Sequence, residues 1–283
     1  MAFVSEMDFT GERLVPNLVA SDSPLYLEHV SRYSLASRYV AERMRILDVA
    51  CGCGYGTCQL AASGAQLVGV DIAPDAIAYA HEHYPRSNVR YAVMDCLALG
   101  FPDQTFDCCV SFETLEHIND HDQFLKEISR VLKSGGRFIV STPNSPVYNA
   151  AIEAPNPYHV RELTVAEFVN ALWKHFRNVR MFGQRIAPLF QLRHEFLALQ
   201  AEVRRLRART DRAAFHFFRS LIPASVRRHA STAMKSRLWG NDHGASLDAK
   251  TSKENWSLAI DDIEISEDHI ERSLYLIAVC EKR

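Results

Sequence analysis

The sequence predicts an α/β fold: a doubly wound, mostly parallel seven-stranded sheet with an N-terminal helical cap and a helical insertion between strands six and seven. Three observations carry this. From Arg45 to Gly183, short β-branched runs alternate with helical apolar patterns, the signature of βαβ units and a parallel sheet. The first of these runs leads directly into a glycine-rich turn, Gly52, Gly54 and Gly56. A stretch of about ninety residues then separates the sixth and seventh strands, too long for a simple connection, so it must carry structure of its own.

Taken in chain order, residues 1–44 read as the cap. There His29, Arg32 and Tyr33 share one helical face at i, i+3 and i+4; the face suits closure over a ligand, and an ordinary amphipathic helix explains it equally. The core, residues 45–184, supplies strands at Ile46–Val49, Gln66–Val70, Val89–Val93, Phe106–Ser111, Arg137–Ser141 and Val179–Phe182. Between strands four and five, Phe124, Leu125, Ile128, Val131 and Leu132 form one face of a helix that Gly135-Gly136 is expected to close. Thr164-Val-Ala-Glu167 is a capping box, with Leu163 placed to staple Phe168 and an apolar face of Val165, Phe168, Val169, Leu172 and Phe176.

The insertion, residues 185–260, holds Leu192, Phe196, Leu199, Val203 and Leu206 in an a/d pattern over little more than two heptads, a helix that requires a partner surface. Asp242 to Glu254 reads as a polar disordered loop. Residues 261–283 return to the core, with the seventh strand at Ser273–Val279.

Composition bounds the class. Apolar residues at 47% and charged residues at 23% match ordinary globular usage, and no apolar run approaches the ~18 residues of a membrane span. The first thirty residues show no basic region leading into an apolar stretch, so no secretory signal is expected. Seven cysteines, an odd number, fit a reducing compartment better than a disulfide framework. The expected location is the cytoplasm, with a peripheral position at the inner membrane as an extension. Net charge of −2 hides an asymmetry: residues 185–240 carry +9, against −6 before them and −5 after. That segment suits contact with an anionic surface or a homodimer partner, whereas the acidic core makes nucleic acid a poorer partner.

The chemistry gathers at strand ends. Asp48 precedes the glycine turn, where small residues allow backbone to approach a ligand. A dinucleotide fingerprint counted from Gly52 requires Gly or Ala at position 57, where Thr57 stands, so the register argues against a nicotinamide enzyme. Asp71 closes the second strand at roughly the ~20-residue interval of a ribose-binding carboxylate, and Ile72 follows it. Asp95, followed by Cys96, closes the third strand, suited to accept from an exocyclic amine while the next backbone N–H meets the ring.

Ile46-Leu-Asp-Val-Ala-Cys-Gly-Cys-Gly-Tyr-Gly56, Gly69-Val-Asp71, Phe106-Asp-Cys-Cys-Val-Ser-Phe-Glu-Thr-Leu-Glu-His117, Phe124-Leu-Lys-Glu-Ile-Ser-Arg-Val-Leu-Lys-Ser-Gly-Gly136 and Ser141-Thr-Pro-Asn144 resemble successive motifs of class I S-adenosylmethionine-dependent methyltransferases. The resemblance covers residues 28–183 and the final strand. It implies a Rossmann-like fold, with S-adenosylmethionine as cofactor and S-adenosylhomocysteine as product. It places Asp48, Ala50, Gly52 and Gly54 near the methionine part, Asp71 at the ribose, Asp95 and Cys96 at the adenine, and Ser111, Phe112 and Glu113 along the sulfonium, with Ile72 a further cofactor contact. Tyr33 from the cap joins this set. Ala50 replaces the first of the family's alternating glycines, which a strand terminus tolerates if φ there is negative.

Phe9-Thr-Gly-Glu-Arg13, His29-Val-Ser-Arg-Tyr33 and Asn156-Pro-Tyr-His-Val-Arg-Glu-Leu-Thr164 are similar to bacterial methyltransferases associated with surface-glycan or secondary-metabolite biosynthesis. This implies methylation of O or N on a small molecule or glycan-linked acceptor; the alternatives are an RNA methyltransferase and a catalytically silent cofactor-binding module. Alignment alone contributes ~7 to 11 kcal/mol to such a displacement, and a general base a further ~3 to 5 kcal/mol. The candidate base is His159, in a Pro-rich loop after strand five; the plainer reading is that Tyr158, His159 and Arg161 fix that loop by hydrogen bonds. Glu113, Glu116 and His117 form an acid-base cluster or a helix cap. No metal is expected: Cys51, Cys53 and Cys58 lack a four-ligand zinc pattern, and Cys108 and Cys109 read as small core residues.

Overall fold

A computed structural model describes residues 13–152, 154–187 and 259–283. The helices are α1 (Pro24–Ser37), α2 (Tyr55–Leu60), α3 (Pro74–His83), α4 (His121–Val131), α5 (Ser145–Ala151) and α6 (Val165–His175). The strands are β1 (Arg45–Val49), β2 (Gln66–Asp71), β3 (Val89–Val93), β4 (Phe106–Ser111), β5 (Leu132–Pro143), β6 (Phe176–Ile186), β7 (Ile263–Ser266) and β8 (Tyr275–Lys282). They form one sheet in the order β3-β2-β1-β4-β5-β8-β6-β7. β1 to β5 pair in parallel, and β8 runs antiparallel between β5 and β6.

The expected doubly wound sheet is present, with eight strands in place of seven. The added strand, β7, pairs antiparallel along the outer edge of β6 from Ile186↔Ile263 to Gly183↔Ser266. Four residues within the acidic run from Asp261 to Glu267 are too few to show a period of two, and only pairing with β6 makes them a strand. The predicted seventh strand corresponds to β8.

Strand alternation explains how both faces are covered. Leu47, Val49, Cys109, Phe138, Val140, Leu276, Ala278 and Cys280 pack with Phe124, Ile128, Phe168 and Leu172 of α4 and α6. Ile46, Cys108, Val110, Ile139, Ile277 and Val279 pack on the other face with Tyr33, Leu35, Leu60, Ile77 and Ala80 of α1, α2 and α3. Neighbours in sequence thus serve opposite layers, as the two-residue pleat requires. Cys108 and Cys109 are fully buried small core residues, one per face.

Local signals held at most helix starts. Ser23 caps α1 by accepting from the Tyr26 backbone N–H, with Pro24 in the first turn. The capping box at Thr164 forms as expected, the Thr164 side chain accepting from the Glu167 N–H and the Glu167 carboxylate from the Thr164 N–H. Gly135-Gly136 does not close α4, which ends at Val131 with Leu132 already extended. The pair lies instead inside β5, where Phe106 pairs with Leu132 but Cys108 with Arg137. A Cβ on Gly136 would stand 2.9 Å from the Lys133 carbonyl oxygen, so this irregularity needs a residue without a side chain.

The amphipathic stretch Leu192–Leu206, the polar loop 242–254 and all but three residues of the basic segment 185–240 lie outside the described residues. Among the described residues no helix is long and apolar enough to cross a membrane.

Candidate active site

β1 lies between β2 and β4, so the chain reverses its winding direction there and leaves a crevice at the carboxyl ends of these strands. The loop after β1 is strongly bent. Ala50, Gly52 and Gly54 have φ of 57°, 55° and 83°, and Gly54 caps α2. The expected negative φ at Ala50 is therefore corrected: the residue stands in the left-handed region, because the chain must turn at once to bring the Cys51 N–H onto the Val70 carbonyl. A left-handed alanine costs about 1–2 kcal/mol, partly offset by the lower chain entropy of alanine relative to glycine. Ala50→Gly is expected to stabilise the protein by about 0.5–1 kcal/mol, read as a raised urea midpoint at unchanged slope; a lowered midpoint would show that the methyl group packs.

Asp48 does not reach the crevice. It is fully buried, accepting from Thr57 Oγ1 at 2.6 Å and from the Tyr33 hydroxyl at 3.3 Å, and burial pushes its carboxyl up to about 7. It ties α1 and α2 to β1 from behind the loop. Thr57, which breaks the dinucleotide register, thus serves as the donor that holds this acid. Gly54 also faces inward, where a Cβ would meet Ala80 Cβ at 2.6 Å and Tyr91 Cε1 at 2.8 Å. Ser111 is buried, bonded to Thr114 Oγ1 at 3.0 Å.

The remaining cofactor candidates line a cavity of about 610 Å³ or a smaller one beside it. Ala50, Asp71, Ile72, Asp95, Cys96 and Glu113 line the first; Tyr33, Ala50, Gly52, Phe112 and Glu113 line the second, of about 60 Å³. Arg13, Ala50 and Glu113 border both. Asp71 accepts from the Gly52 N–H at 2.9 Å and the Ala73 N–H at 3.0 Å, one per oxygen, and lies 3.6 Å from Arg13. Ile72 is 66% exposed. Asp95 accepts from the Leu97 N–H at 2.8 Å, and burial pushes the Cys96 thiol up to about 11, so it stays protonated at neutral pH.

At the far end, Glu113 holds a φ of 52° and takes a 2.6 Å hydrogen bond from Ser141 Oγ. Arg32 NH1 approaches it at 3.8 Å. The Arg32 guanidinium is wholly buried, donates from Nε to Gln184 Oε1 at 2.7 Å and lies over the Tyr275 ring, while both terminal nitrogens lack a hydrogen-bond partner. Burial lifts nearby Glu28 to about 7 despite Arg32. His29 meets the Tyr55 hydroxyl at 2.9 Å, and burial beside Arg32 holds it well below the usual histidine range, hence neutral.

The loop 156–162 closes against the turn Leu115–His117. The Glu116 carbonyl accepts from the Val160 and Arg161 N–H groups, and His117 Nδ1 meets the Tyr158 carbonyl at 3.0 Å. His117 lines the large cavity, whereas His159 lines neither. The His159 ring meets His117 edge-on at 4.9 Å and stacks on Tyr148, and its Nδ1 is 2.9 Å from Glu162 Oε1. The hydrogen bonds expected to fix this loop are therefore present, and they bring His159 beside the cavity wall.

Sequence reasoning missed Arg13, Leu97, Thr114 and Tyr158 as wall residues. Arg13 ends the quoted Phe9-Thr-Gly-Glu-Arg13 motif, a usable signal. Thr114 and Tyr158 have none beyond adjacency to motif residues.

Residues 47–140 match the family described as a methyltransferase domain. A relative from Mycolicibacterium smegmatis, named a probable S-adenosylmethionine-dependent methyltransferase, is 36% identical over 172 residues, 60% of this chain and 65% of its own. A similarly named Mycobacterium tuberculosis protein is 34% identical over 167 residues, 59% of this chain and 60% of its own. Residues 47–140 are a methyltransferase domain. The chain spans about three-fifths of the length of these curated relatives. A Thermotoga maritima S-adenosylmethionine-dependent methyltransferase structure, 14% identical with a TM-score of 0.55, covers 91% of this chain and 92% of its own, and shares the fold of the methyltransferase domain.

Proposed function

We propose that the chain moves a methyl group from S-adenosylmethionine to an oxygen or nitrogen of a small-molecule or glycan-linked acceptor. One observation carries the reading: the two cavities share Arg13, Ala50 and Glu113 and run from strand-end carboxylates to a histidine-lined wall. The donor set fits the cofactor. Each Asp71 oxygen accepts one backbone N–H, and an ionised carboxylate has about four lone-pair sites, so it can still accept two ribose hydroxyls. Exposed Ile72 offers an apolar face for adenine, and Asp95 an acceptor for its amine. Arg13, which borders both cavities, suits a carboxylate.

S-adenosylmethionine, when bound, supplies a methyl group already activated on a sulfonium. The protein has only to bind, align and dehydrate the reactants. Tyr33 and Phe112 wall the inner cavity and Glu113 places an acceptor group between the two ends. His159 serves the acceptor end: Nδ1 faces Glu162, leaving Nε2 for a proton or a cation.

Calorimetric titration with S-adenosylmethionine and S-adenosylhomocysteine, followed by tritiated methyl transfer into fractionated metabolites and glycans, tests this. Binding of both, with label in a metabolite or glycan fraction, is expected. Absence of binding overturns the cofactor site. Binding without transfer, or label entering RNA alone, overturns the acceptor class.

A further inference from the structure

We propose that Glu116, His117 and His159 bind a divalent transition-metal ion at the acceptor end of the large cavity, leaving coordination positions open for an acceptor oxygen. One ligand atom from each of the three lies within 4.8 Å of the others. His117 and His159 come from segments forty-two positions apart, joined by the clamp of the Glu116 carbonyl on the Val160 and Arg161 N–H groups. His117 is itself a cavity wall.

The tautomers favour metal binding. A carbonyl oxygen only accepts, so His117 Nδ1, 3.0 Å from the Tyr158 carbonyl, carries the proton. His159 Nδ1 faces the Glu162 carboxylate at 2.9 Å, which selects the same tautomer. Histidines that hold metals donate their other ring N–H to a carbonyl or a carboxylate in this way, fixing ring orientation and raising basicity. Both kinds of outer partner occur here on adjacent rings.

Glu116 completes the set. It is wholly buried, and one oxygen accepts from Thr142 Oγ1 at 3.1 Å. The other oxygen lies 4.0 Å from His117 Nε2, beyond hydrogen-bond range. Among the described residues no lysine or arginine comes within ion-pair distance of it, and a buried carboxylate without a cation is unfavourable. Ligands at ~2.0–2.2 Å from one ion sit roughly 3 to 3.5 Å apart, so the side chains need close by about 1 to 2 Å. Two imidazoles and one carboxylate select zinc, manganese, iron or cobalt over magnesium or calcium, and three protein ligands leave positions open.

The role of the ion rests on the methyl-transfer reading. An acceptor hydroxyl on the ion loses its proton to water more readily. The oxygen then forms the new O–CH₃ bond as the methyl–sulfur bond breaks, and sulfur keeps that electron pair. His159 is then a ligand, its Nε2 lone pair committed to the ion.

Equilibrium dialysis of the chelator-stripped full chain against Zn²⁺, and separately against Co²⁺ with its visible absorption recorded, tests the site. One equivalent of metal is expected, with tetrahedral or five-coordinate cobalt bands. His117→Ala and His159→Ala should each weaken zinc affinity at least about 100-fold, and Glu162→Gln by about 10- to 100-fold, with the urea midpoint of each metal-free variant confirming its fold. Substoichiometric metal in the wild type overturns the site, as does zinc affinity unchanged in both histidine variants. Stoichiometric metal without cofactor binding keeps the site and sinks only the methyl-transfer reading.

Discussion

Asp71→Ala is expected to weaken S-adenosylmethionine binding by about 10²- to 10⁴-fold in a calorimetric titration. Two hydrogen bonds from ribose hydroxyls to an ionised acceptor contribute about 1.5–3 kcal/mol each, and each 1.4 kcal/mol is tenfold in affinity. The substitution also frees the Gly52 N–H, which the carboxylate holds at 2.9 Å, and removes the 3.6 Å partner of Arg13. The loop after β1 therefore loses an anchor along with the ribose its acceptor. Asp71→Asn keeps the shape and one acceptor oxygen, and should fall between alanine and wild type. An affinity within twofold of wild type in the alanine variant would remove Asp71 from the cofactor site and leave it only the loop-anchoring bonds.

Gly54→Val should abolish measurable cofactor binding and lower stability by about 2–6 kcal/mol. Two costs add. A β-branched residue at φ 83° is a strained outlier, about 1–3 kcal/mol. Its Cβ would also stand 2.6 Å from Ala80 Cβ and 2.8 Å from Tyr91 Cε1, an overpacking of about 1–3 kcal/mol. Relief requires α3 to retreat or Tyr91 to swing, and Tyr91 donates to the Gly54 carbonyl at 3.1 Å. The loop cannot keep its path in either case. A denaturant midpoint and cofactor affinity both equal to wild type would show that the turn tolerates a side chain.

The histidine wall and the glycine loop differ in how far they could be read from the chain. Asp71 and Asp95 were legible because each ends an apolar run on a carboxylate, and strand ends are where such sheets bind ligands. Asp48, one residue before the end of β1, is placed near the methionine part by the family resemblance, and in the structure it turns away. It falls on the same pleat face as Ile46, towards Thr57 and Tyr33. A displacement of one residue along a strand exchanges the two faces of the sheet.

The sequence by itself determined the βαβ order, the bend after β1, the capping box at Thr164 and the carboxylates at the ends of β2 and β3, because each depends on local periodicity or backbone chemistry within a few residues. Tertiary structure alone decided the rest. β7 exists only because β6 offers it an edge; Ala50 is left-handed because Cys51 must meet Val70. Arg32, Glu113 and Tyr275 converge, and His117 meets His159, only when segments distant in the chain close on the same end of the sheet. Such contacts leave no local period, since the free energy that creates them comes from packing the sheet's two faces.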